Sequence, residues 1–125
     1  MNCLEVCGGR GLANDSFQRP GLDVSVSSRA IGNTDAGGGE FHLLSSCASG
    51  RITRMLLADV CGFGPLFPAI AGRLRGLMQK NVNSVRHADF VKAMAGHLGE
   101  ASQHGGYVSA QISTYYAPTR SYALC

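Results

Sequence analysis

The chain has no tryptophan, no run of lysine or arginine, and no acidic side chain after Glu100. It also lacks any apolar stretch approaching the ~20 residues that a membrane-spanning helix needs. The N-terminal Met1-Asn2-Cys3-Leu4-Glu5 has no basic region leading into an apolar segment, so a secretory signal is not expected. Charged residues are sparse, at 15%. The net charge of +3 comes from 11 basic and 8 acidic residues scattered along the chain, the densest basic pair being Arg73/Arg75. A nucleic-acid binder concentrates its positive charge on one face, and this sequence does not. Five cysteines form no regular framework. Cys3 and Cys7 have the spacing of half a zinc site, but no second Cys or His pair completes it. The thiols read as reduced, which places the protein in the cytoplasm.

At 125 residues the chain makes one domain of a size that buries a core. Its 17 glycines point to turns and close backbone approaches. Residues 1–20 show no periodicity and read as a loose leader. Residues 22–26 alternate, with Leu22, Val24 and Val26 against Asp23 and Ser25, which is the pattern of a half-buried strand. Residues 41–47 and 52–60 read as two further strands, joined by a hairpin turn at Ser49-Gly50-Arg51. The run Met55-Leu56-Leu57-Ala58 is continuously apolar, which predicts burial on both faces.

Beyond Gly64 the period changes. Leu66, Ile70, Leu74, Leu77 and Met78 recur at helical spacing, with Pro65 and Pro68 in the first turn. A second helix is expected over 87–102, with Phe90, Val91, Met94 and Leu98 inward, ended by Gly105-Gly106. Residues 107–116 alternate again. A turn at 118–121 leads into a last strand over 122–125, whose neighbour would come from further sequence. The fold class is therefore α+β, with antiparallel sheets packed against two helices and incomplete at the C-terminus. An edge strand left open in this way invites self-association.

Two short motifs carry the chemistry. Gly37-Gly38-Gly39-Glu40 ends a glycine run in a carboxylate, and Asp59-Val60-Cys61-Gly62-Phe63-Gly64 begins with another. The acidic residues are 19 positions apart, enough for two short strands and a turn. Two carboxylates at neighbouring strand ends suit a hard cation such as Mg²⁺ or Mn²⁺, which selects oxygen ligands. The plainer alternative is that Asp59 accepts hydrogen bonds from the following glycine turn and that Glu40 is a solvated turn residue. His42, His87, His97 and His104 are scattered, with no Ser/His/Asp arrangement among them.

Gly38-Gly39-Glu40-Phe41, a hairpin ending Leu56-Leu57-Ala58-Asp59-Val60-Cys61-Gly62-Phe63-Gly64, and then a helix resemble the metal-dependent type 2C (PPM) serine/threonine phosphatases, in their SpoIIE-like branch. Gly106-Tyr107-Val108-Ser109-Ala110 is similar to the family's strand after its helices. The family's usual patterns are Gly-Gly-Asp-Phe and Asp-Val-Ser-Gly-His-Gly. Glu40, Cys61 and Phe63 stand here in place of the Asp, Ser and His. The resemblance covers about residues 20–125 and implies the N-terminal portion of such a domain over 21–125, a β-sandwich flanked by helices. It further implies that Asp59 bridges two divalent cations, that the Val60 carbonyl is a further ligand, and that Glu40 occupies the first metal-binding position. The implied reaction is metal-dependent hydrolysis of phosphoserine or phosphothreonine in a regulatory protein, with Mg²⁺ or Mn²⁺ as cofactor. The alternative is an inactive module of the same fold that acts in protein binding. No nucleic acid or membrane is expected as a partner.

Overall fold

A computed structural model describes residues 5–7, 14–27, 40–47, 50–61, 67–81, 84, 86–102 and 107–125. Strands β1 (Glu5–Cys7), β2 (Asn14–Arg19), β3 (Leu22–Ser27), β4 (Glu40–Cys47) and β5 (Ile52–Cys61) come first. Helices α1 (Phe67–Lys80) and α2 (His87–Ser102) follow, and then β6 (Tyr107–Tyr116) and β7 (Ser121–Leu124). The class is α+β. Five strands form an antiparallel sheet in the order β1-β4-β5-β6-β7, and β2-β3 form a separate hairpin.

The ladder register sorts the sheet's side chains onto two faces. Leu43 lies opposite Leu56, and Leu56 opposite Ile112. These residues and Ala58 face the helices, where Leu74, Leu77, Met78, Phe90 and Met94 complete one buried cluster. Met78, Phe90 and Met94 are wholly excluded from solvent. Both helices follow their sequence periodicity, because a stripe recurring every three to four residues can reach only one surface. The Pro68 ring sits in the first turn of α1, where no backbone donor is lost.

Arg54 is also on the helix face and is 1% exposed. Its guanidinium lies 4.6 Å from the Phe90 ring centroid, and Nη2 donates to the Ser84 carbonyl. Arg54 thereby ties β5 to the connection between the helices. Beside it, His87 and Thr114 Oγ1 share a hydrogen bond of 2.9 Å. Burial, together with the nearby Arg54 charge, lowers the pKa of His87.

The opposite face carries the hairpin. Val24 and Val26 of β3 turn inward, as do Asp15 and Phe17 of β2. The hairpin's turn holds Gly21 at φ +73° against Tyr115. A Cβ there would meet the Tyr115 hydroxyl at 3.1 Å, so both the backbone angle and the space require glycine.

Three sequence expectations are corrected. Residues 14–19, assigned to an aperiodic leader, form β2. Two of its three inward positions are Asp15 and Arg19, so the strand has no hydrophobic alternation to read. Leu57, expected to be buried, is 53% exposed, because a two-stranded hairpin is too narrow to cover a five-stranded sheet. The last strand finds its neighbour within the chain, as β7 pairs with β6. Leu66, Pro65 and Gly105-Gly106 lie outside the described residues.

Two outcomes follow. Phe90→Ala should lower unfolding free energy by about 3–5 kcal/mol in urea titration, whereas Leu57→Ala should change it by no more than about 0.5 kcal/mol. His87 also makes stability depend on pH. Its folded pKa is below the ordinary histidine value of 6.5, so the unfolded chain takes up the proton first as pH falls. Its contribution is full above pH 6.5, declines below it, and is gone beneath the folded-state value. Melting temperature followed across that window should fall in the wild type and flatten in His87→Asn.

Candidate metal-binding site

β4 and β5 pair so that Glu40 lies directly opposite Asp59. The rest of the ladder shows what kind of pair this is. Ile112 exchanges both backbone bonds with Cys125, so even-numbered β6 residues turn toward β7 and odd-numbered ones toward β5. Odd-numbered β5 residues, Asp59 included, therefore bond to β6, and positions 40 and 59 form a non-hydrogen-bonded pair. Such pairs bring Cα atoms to about 4.5 Å, the closer of the two antiparallel spacings. By the same alternation the N–H and C=O of Val60 turn toward the β4 side of β5, the side that holds Glu40.

The surroundings follow from the register. Ser109 on β6 lies across from Asp59 on its other side. Two positions along β4, on the same face, is His42, opposite Leu57. His42 is 5% exposed, and its Nε2 donates to Asp15 Oδ2 at 3.2 Å. The Phe17 ring centroid lies 6.4 Å from that of His42. The hairpin thus brings a third acidic residue, Asp15, to the same face of the sheet, held on His42. Sequence reading missed both: Asp15 sat in an apparent leader, and His42 was one of four scattered histidines. The Glu40-x-His42 alternation within a strand was the available signal.

A groove of about 300 Å³ lies between β3 and the sheet, lined by Val24, Val26, His42, Leu44, Met55 and Tyr122 among others.

Two like charges placed directly opposite on an antiparallel pair destabilise it. A hard divalent cation between them reverses that sign, and two carboxylates with one carbonyl are the donor types it takes. The register brings these donor types to neighbouring positions on β4 and β5. Among the described residues no group of three or more His, Cys, Asp and Glu side chains is arranged to hold a metal. The described donors therefore do not make up a two-ion centre.

No protein-family model matches this chain, and no curated protein or solved structure matches it significantly. Among the described residues no helix is long and apolar enough to cross a membrane.

Proposed function

We propose that this chain is the N-terminal portion of a SpoIIE-like phosphatase domain that hydrolyses phosphoserine or phosphothreonine in a cytoplasmic regulatory protein. The observation that carries the reading is the pairing of Glu40 with Asp59 across β4 and β5. Glu40 and Asp59, the acidic residues of the two motifs that resemble that family, are register partners, and the flanking glycines lie outside the described residues. Glu40 and Asp59 would hold Mg²⁺ or Mn²⁺, with the carbonyl of Val60 as a further ligand. Bound there, the ion would supply an activated water and neutralise charge on the phosphoryl oxygens. Asp59, flanked by Glu40 on one side and Ser109 on the other, would be the residue nearest the reacting water. The cysteines need no nucleophilic role in this chemistry.

A second reading is favoured by the composition of the last 25 residues, which contain no Asp or Glu. The family draws further aspartates from later sequence. Here the described donors suit one ion, so the fold would serve as a protein-binding module without turnover.

The two readings separate on one protein. Mn²⁺ at one hundred times its Kd should stabilise the wild type by about 2.7 kcal/mol, and Asp59→Asn should remove that gain. An unchanged melting curve would refute the metal site in both readings. Release of phosphate from a phosphothreonine peptide with Mn²⁺ separates the enzyme from the inactive module.

A further inference from the structure

The edge strand β7 has a hydrogen-bonding pattern that matches itself. Ile112 N donates to Cys125 O, and Cys125 N donates to Ile112 O, both at 2.8 Å. Bonded and non-bonded pairs alternate along an antiparallel ladder. Ala123 and Ser121 therefore also turn their backbone groups toward β6, opposite Thr114 and Tyr116. The N–H and C=O groups of Tyr122 and Leu124 turn outward, and among the described residues β7 is the last strand on that side of the sheet.

We propose that a second copy of this chain docks on this edge, β7 against β7 and antiparallel, with a two-fold axis at Ala123. In that register Tyr122 lies opposite the partner's Leu124, and Leu124 opposite the partner's Tyr122. Both outward residues of each copy exchange N–H and C=O, giving four inter-strand bonds and one ten-stranded sheet. A slip of two residues that sets Tyr122 opposite its own copy leaves Leu124 facing Arg120, which lies outside β7 and whose N–H already donates to the Ala117 carbonyl. Closed two-fold pairing of this kind is the commonest form of self-assembly.

Side chains and charge agree with the backbone. Tyr122 is 57% exposed and Leu124 56%, and both project from the hairpin face of the sheet. In the paired register each covers the other across the axis. Residues 121–125 include no charged side chain and no proline, the usual devices that keep an edge from pairing. The nearest charged side chain is Arg120, three positions from the axis. The two copies of it are held about 20 Å apart at about 3.4 Å per residue, beyond the ~10 Å reach of unscreened charge in 0.1 M salt. The paired surface is small, so the dimer is weak and concentration-dependent. The proposal is independent of the metal site.

Sedimentation equilibrium over a range of concentrations should show a reversible monomer–dimer system. Leu124→Pro deletes an outward N–H and leaves the bonds to β6 intact. It should weaken the dimer about tenfold or more, with an unchanged far-ultraviolet spectrum. A covalent readout fixes the register. In a Cys125→Ser background, Ala123→Cys places a thiol across from its own symmetry mate, at a Cα separation of about 4.5 Å that a disulfide can span. Mild oxidation should then yield a linked dimer. Tyr122→Cys in the same background, which meets the partner's Leu124, should yield far less. A purely monomeric protein, a dimer indifferent to Leu124→Pro, or equal cross-linking at positions 122 and 123 would each overturn the proposal.

Discussion

Everything described here hangs on the register of the β4-β5-β6 ladder. Side chains on a strand alternate between faces, so a slip of one residue would exchange the faces of a whole strand. Leu43, Leu56 and Ile112 would leave the helices, and Arg54 would lose Phe90 and Ser84. The opposition of Glu40 and Asp59 would be lost as well. Core and candidate site are thus two consequences of one pairing, read on opposite faces of the same strands. The helix face enforces the register, because nine buried residues from both helices and the sheet must meet there.

Within that face Arg54 is the unusual element. A buried guanidinium is tolerated only where its donors and its charge find partners. The carbonyl of Ser84 and the face of Phe90 provide two of them. Both lie at the junction between α1 and α2, so the arginine sets where the second helix begins. His87, the first residue of that helix, has its pKa lowered by burial first and by the Arg54 charge second. Stability and pH response are therefore coupled at one corner of the molecule, remote from the acidic pair.

The hairpin face is organised differently. It is covered only in part, and its contacts to the sheet mix polar with apolar groups. Asp15 meets His42, the turn glycine meets Tyr115, and Val24 and Val26 border a groove. Partial cover leaves Leu57, Tyr122 and Leu124 in contact with solvent. Asp59 belongs to this open face and is exposed to solvent.

Much of this was legible in the residues themselves. The alternation of 22–26 and 107–116 and the helical stripes of Leu74, Leu77, Met78, Phe90 and Met94 are local properties, because strand and helix periods are set by backbone geometry. The 19-residue interval between Glu40 and Asp59 is likewise a hairpin's length, so their convergence was visible as spacing. What the residues could not reveal depended on partners distant in sequence. β2 exists because β3 and His42 receive it, not because Asn14–Arg19 has a strand's pattern. Among the described residues only a two-stranded hairpin lies on the face where Leu57 is exposed, and His42 acquires Asp15 only when that hairpin folds back. Periodicity encodes which face a residue takes; only the assembled layers decide whether anything covers that face.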